Sequence, residues 1–83
     1  MHTNPVWCVK AVEPKEDFIL LLTFENGEQK LYDCKPILLE YPAFACLKNP
    51  TLFNKVYVEH HSVAWNDELD IAPEDLYERG IPV

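Results

Sequence analysis

The stretch Phe18–Phe24 (Phe-Ile-Leu-Leu-Leu-Thr-Phe) runs straight into Glu25-Asn26-Gly27-Glu28, and this junction constrains the fold more than any other. The run is apolar on both faces, as a covered central strand is, and seven residues are few for a buried helix. Asn-Gly is the pair that a two-residue type I′ hairpin demands, because both central residues take φ > 0. Gln29–Asp33 then returns as the partner strand. A two-residue turn sets Leu22 opposite Leu31, Leu21 opposite Tyr32, and Glu25 opposite Glu28 at the tip. An antiparallel sheet built from hairpins is the expected frame.

The rest of the chain reads as short pieces. Val6–Val12 is rich in β-branched and aromatic residues and stops at Glu13-Pro14-Lys15-Glu16-Asp17, where proline and clustered charge turn the chain. Pro36, Pro42 and Pro50 recur every eight residues, so no long element crosses the middle. Short helical turns are expected at about Pro42–Lys48 and Pro50–Asn54, with Asn49 capping the second. Ile37, Leu38, Phe44, Leu47, Leu52 and Phe53 are the residues expected to pack onto the sheet. Val56–Glu59 and Ser62–Trp65 read as strands on either side of His60-His61, and Leu69–Ile71 as a third, short one. Pro73 opens a last helix, Glu74 and Asp75 suit its positive end, Leu76 and Tyr77 supply its buried contacts, and Gly80 closes it. The expectation is one α+β domain over residues 1–83, with a small antiparallel sheet, short helical turns in the middle and a short C-terminal helix.

Charge limits the partners. Fourteen acids against seven bases leave −7, which disfavours direct contact with nucleic acid or an anionic membrane. Residues 1–58 are nearly balanced, with seven acids and six bases; residues 59–83 hold seven acids and Arg79 as the one base. Asp67, Glu68, Asp70, Glu74, Asp75 and Glu78 thus form a candidate acidic surface for a basic protein, whose approach such a field would speed and orient. The bland alternative is a solvated face that keeps a small protein soluble. A 48% hydrophobic composition argues against disorder, and the longest apolar run, Phe18–Leu22, is far too short to span a bilayer. The N-terminal residues lack the cationic start and apolar stretch of a signal peptide, so a cytoplasmic location is expected.

No catalytic, cofactor or metal site is legible. Cys8, Cys34 and Cys46 include no close pair of the kind that builds zinc sites, and adjacent His60-His61 on a strand point to opposite faces. Free, mostly buried thiols are expected. No hydrolase motif surrounds any cysteine, there is no glycine-rich phosphate loop, and Asp67, Glu68 and Asp70 sit in a turn rather than a cleft. Trp7, Tyr32, Tyr57 and Trp65 could stack bases, but single-strand binders combine such platforms with basic grooves. Core and core-edge packing is the better expectation for them.

One further feature is the order of the pieces. A strand leads into Asn26-Gly27-Glu28, followed by Leu31-Tyr32-Asp33, Pro36-Ile37-Leu38, Phe44, Leu47, Phe53, Val56, Val58, Trp65, Leu69-Asp70-Ile71, Pro73 and Leu76-Tyr77. Over about residues 5–80 this resembles the small bacterial family called domain of unknown function 2442. The family pattern has a glycine in the turn after the tryptophan, where this chain has Asp67-Glu68, so the departure bears on the last hairpin. The resemblance implies an antiparallel sheet carrying short helices, and no known catalytic residues. Some relatives carry a C-terminal helix-turn-helix, which is not expected here. Others occur as the suspected antitoxin partner in two-component toxin–antitoxin modules.

These readings make a non-enzymatic interaction module the leading expectation, antitoxin-like, with the acidic surface toward a basic partner. A homo-oligomeric structural or accessory domain, with sheet edges pairing between copies, stays open. So does a small ligand binder or enzyme, for which 83 residues leave little room for a closed pocket.

Overall fold

The structure, a computed structural model, describes residues 8–66 and 68–83. In chain order its elements are β1 (Val9–Lys15), β2 (Ile19–Phe24), β3 (Gln29–Asp33), α1 (Lys35–Glu40), a 3₁₀ segment (Pro42–Lys48), α2 (Pro50–Phe53), β4 (Tyr57–Glu59), β5 (Ser62–Asn66), β6 (Leu69–Ile71), α3 (Pro73–Arg79) and β7 (Ile81–Pro82). The strands form two antiparallel sheets, ordered β1-β2-β3-β7 and β4-β5-β6, where the sequence suggests one. The fold is α+β, as expected. One core cluster joins the inner residues of both sheets, among them Leu20, Leu22, Phe24, Tyr32, Val63 and Trp65, to Ile37, Leu38, Leu47, Phe53 and Leu76 from the helical pieces.

The β2–β3 hairpin exists, but its turn is not type I′. Gly27 N–H donates to Phe24 O and Phe24 N–H to Glu28 O (both 2.9 Å), and only Gly27 in this turn has a positive φ, +91°. The loop is therefore three residues, Glu25-Asn26-Gly27, with glycine at the left-handed bulge position. One extra loop residue slips the register by one: Leu22 faces Lys30, Leu21 faces Leu31, and Leu20 faces Tyr32. Glu25 and Glu28 no longer oppose each other; Asn26 Nδ2 instead donates to Glu28 Oε1 at 2.7 Å.

A single-residue slip flips every side chain of β3 to the other face. Lys30 and Tyr32 become the inward residues, and Leu31 turns outward. Lys30 is 8% exposed. Its stem covers apolar core, while Nζ lies 3.5 Å from the Tyr77 ring centroid and donates to the Tyr77 carbonyl at 2.6 Å. That carbonyl is in the last turn of α3, where backbone acceptors lack helical partners, so the buried ammonium and the helix end satisfy each other.

The two-residue turn occurs elsewhere. Glu59 pairs with Ser62, and His60 and His61 both take left-handed φ, 51° and 67°. This is the conformation a type I′ turn needs, held here by residues less suited to it than Asn-Gly. His61 O accepts from Val9 N–H at 2.9 Å, which ties the turn to β1.

The first strand stops later than the sequence suggests. Val6 and Trp7 lie outside the described residues, and β1 runs through Pro14 to Lys15. Proline is tolerated because β1 is an edge strand, where a missing N–H costs no ladder bond. The chain turns at Glu16-Asp17-Phe18 instead, with Asp17 and Phe18 at φ 62° and 59°. Left-handed backbone is unfavourable for a phenylalanine. Three contacts hold it: Phe18 O accepts from Cys34 N–H (2.9 Å), Lys35 Nζ donates to Asp17 O (2.9 Å), and the Phe18 ring meets Phe53 edge-on at 5.3 Å.

The middle segment contains one helix the proline spacing hides. Pro36 sits in the first turn of α1, where its missing N–H has no helical acceptor in any case, and Asp33 Oδ1 accepts from Lys35 N–H at 2.9 Å. The 3₁₀ segment and α2 match the expected helical turns, and Asn49 Oδ1 caps α2 by accepting from Thr51 N–H at 3.0 Å. Leu52 is the exception among the expected core residues, since it is exposed. At the C-terminal end Gly80 has φ −67°, so the helix does not close through a left-handed glycine. A Cβ there would lie 2.6 Å from Leu76 O and 2.9 Å from Lys30 Cβ. Glycine at this point lets the chain pass Lys30 and pair as β7 with β3, a strand the sequence does not announce.

Candidate functional site

The acidic surface is assembled from two neighbouring elements. In β6 Leu69 and Ile71 point inward, so strand alternation turns Asp70 outward, and Glu68 is exposed in the turn before it. Asn66 Oδ1 organises that turn by accepting from Glu68 N–H (2.8 Å) and Leu69 N–H (3.0 Å), and Asn66 pairs with Leu69, so the hairpin closes without a glycine. Asp67 lies outside the described residues. On α3 the fully buried Leu76 fixes the helix orientation, and Glu74 and Glu78, four residues apart, share the exposed side.

Asp75 differs from its neighbours. It flanks α3 toward β3, where Oδ2 accepts from the Tyr32 hydroxyl at 2.7 Å and Oδ1 from Arg79 Nε at 3.0 Å. Tyr32 is 2% exposed. Burial, followed by the hydrogen bond to Asp75, holds its phenol far above the ordinary tyrosine range. Asp75 is thus part of the fold, and it also engages Arg79, the one base of the C-terminal third. Glu68, Asp70, Glu74 and Glu78 have no ion-pair or hydrogen-bond partner for their carboxylates among the described residues.

Beside these acids lies a groove of about 350 Å³ between the α1 end of the molecule and the β6–α3 junction. Ile37, Tyr41, Phe44 and Ile71 supply apolar walls; Asp70, Asp75 and Arg79 supply charge of both signs, with Arg79 held by Asp75. Tyr41 is 54% exposed and meets Phe44 at 6.4 Å, and Phe44 in turn stands edge-on to the buried Trp65 at 6.1 Å. Sequence reasoning misses Tyr41, because its position depends on α1 and nothing in its neighbourhood signals that helix. A larger cleft of about 670 Å³ runs beside the strained Asp17-Phe18 turn, walled by Pro14, Phe18, Pro50 and Phe53.

The other candidates fall into place as packing and turn residues. Cys8 and Cys34 are buried and Cys46 is exposed; all three are free thiols. Burial, with Asp33 adding to it, pushes the Cys34 thiol up to about 12. His60 and His61 are exposed in their turn. Among the described residues no three His, Cys, Asp or Glu side chains converge as a metal site would require. Tyr32 and Trp65 are buried, and the indole of Trp65 donates to Phe53 O at 2.9 Å, which satisfies its one polar atom. Tyr57 is part-exposed at the edge, and Tyr77 half-buried, with its hydroxyl donating to Glu28 Oε1 at 2.7 Å. That bond holds the Glu28 carboxyl below its ordinary value. No helix among the described residues is long and apolar enough to cross a membrane.

Comparison with known proteins agrees with the resemblance read from the ordered motifs. No curated protein and no solved structure matches the chain. The family described as "Protein of unknown function (DUF2442)" matches residues 9–82, almost the full length and both sheets, and the chain belongs to that family.

Proposed function

We propose that this protein is a non-enzymatic interaction module that docks a basic protein through its acidic C-terminal surface, in the manner of an antitoxin-like partner. The observation that carries this reading is the state of the carboxylates. Glu68, Asp70, Glu74 and Glu78 are exposed and uncompensated among the described residues, while Asp75 takes up Arg79. Such a one-signed field concentrates a partner of opposite charge and orients it, acting chiefly on the association rate. The test is a pull-down from the native host at two salt concentrations, with wild type and an E68Q/D70N/E74Q/E78Q variant as baits. The expected result is a basic protein retained by wild type at low salt and lost by the variant. Equal retention by both baits refutes the reading.

A second reading, a homo-oligomer, is favoured by one observation. On the outer face of the four-stranded sheet Leu21, Leu31 and Ile81 lie in one cross-strand row, and Ile81 is 66% exposed. Sedimentation of the purified chain distinguishes the two: a monomer with an intact fold excludes self-association through this row.

A further inference from the structure

We infer that the groove between Tyr41 and Asp70 is the specific element of this docking surface, and that it receives an arginine side chain of the basic partner. The inference rests on the docking reading above and narrows it from a diffuse field to one pocket. An acidic face alone attracts any cation. This groove adds what a guanidinium needs beyond charge: a flat aromatic wall at Tyr41, apolar surface at Ile37 and Ile71 for the methylene stem, and a carboxylate at Asp70 for the head. The aromatic wall is backed by Phe44 against the buried Trp65, so it is anchored to the core. Asp70 has no partner among the described residues, and it sits on a strand whose flanking residues are buried, so its direction is fixed by the core. Arg79 also lines the groove, but its guanidinium is taken up in cis by the neighbouring Asp75 at 3.0 Å. Asp70 is the carboxylate left for one in trans.

The experiment uses the full ¹⁵N-labelled chain titrated with a blocked oligo-arginine peptide, with its oligo-citrulline counterpart as the uncharged control. Saturable amide shifts should concentrate at residues 37–44 and 69–72, and citrulline should give none. Asp70→Asn should weaken binding about tenfold, the loss of one charge-assisted contact, and Tyr41→Ala about three- to fivefold. Tyr41→Phe should bind like wild type. The combined Glu74→Gln/Glu78→Gln change, outside the groove, should cost about twofold or less in physiological salt. If Asp70→Asn and Glu74→Gln/Glu78→Gln weaken binding equally and Tyr41→Ala not at all, the groove inference fails while the acidic-face reading survives. If the wild type does not bind the peptide even at low salt, both fall. Melts of each variant confirm that the exposed substitutions leave the fold intact.

Discussion

Truncating Asp75 to alanine should destabilise this protein, although its acidic neighbours can be neutralised without loss. The carboxylate accepts from the Tyr32 hydroxyl at 2.7 Å and from Arg79 at 3.0 Å. Tyr32 is 2% exposed, so its hydroxyl is left without a partner when the carboxylate goes. A buried hydrogen bond to a charged group contributes about 1.5–3 kcal/mol, most of it as the penalty of stranding the remaining partner. The exposed i,i+4 pair with Arg79 adds only about 0.3–0.5 kcal/mol. Asp75→Ala should therefore cost about 2–3 kcal/mol, a large share of the margin of so small a chain. Tyr32→Phe removes the stranded hydroxyl together with the bond, so on the asymmetry between stranding and deleting a polar group it should cost about 1 kcal/mol. In the double variant the stranding penalty disappears, leaving a coupling of about 1–2 kcal/mol between the two sites. Urea denaturation of the four proteins at neutral pH, followed by circular dichroism, measures each quantity. Glu74→Gln and Glu78→Gln serve as controls and should lie within about 0.5 kcal/mol of wild type. A coupling energy indistinguishable from zero, or an Asp75→Ala midpoint equal to that of Glu74→Gln, would refute the reasoning.

Four further outcomes are expected. Gly27→Val places a β-branched residue at φ +91° and should lower stability by about 1–2 kcal/mol in a chemical melt, through backbone strain alone, since a Cβ there meets no atom within 4 Å. Replacing His60-His61 by Asn-Gly should raise stability by about 0.5–1 kcal/mol, read as a higher denaturation midpoint; a drop would show that the turn is not type I′. Leu76→Ala removes a fully buried anchor and should cost about 2–4 kcal/mol, whereas the half-buried Tyr77 should cost less on truncation than a fully buried ring. Because the folded Cys34 thiol is raised from 9.0 to about 12, it contributes stability that is complete below pH 9 and lost as pH rises through 12. Cys34→Ala should flatten that alkaline decline in a pH series of melting temperatures, and an unchanged slope would remove Cys34 as its source.

What the sequence makes legible, and what it hides, divides along physical lines. Hairpins between strongly apolar strands, the Asn49-Pro50 cap and the Pro73 helix start are local signals, and each appears in the structure where the residues place it. Turn type is local too, but more finely balanced. Asn26-Gly27 is compatible with a two-residue turn and with a three-residue loop, and side chains such as Lys30 and Tyr32 decide which register packs. The left-handed pairs at His60-His61 and Asp17-Phe18 have no composition signal at all, because tertiary contacts to Val9, Cys34, Lys35 and Phe53 compensate their strain. For the acidic surface, exposure of Asp70, Glu74 and Glu78 follows from strand and helix periodicity, and that of Glu68 from its place in a turn. The separate fate of Asp75 depends on a tyrosine 43 residues away and could not be read from spacing.

The burial of Lys30 gives the protein an internal chemical reporter. Of its six lysines, Lys30 alone is buried, with its amine held between a ring and a carbonyl, while the other five are exposed or half-buried. An amine-directed reagent should modify those five at rates set by their own nucleophilicity. Acylation of Lys30 must wait until the end of α3 lifts away from β3, so its labelling rate counts openings of that seam. Mass spectrometry of a labelling time course would thus follow the docking of the last helix and strand without any introduced probe, and a partner that clamps α3 would slow this one modification while leaving that of lysines remote from the partner unchanged.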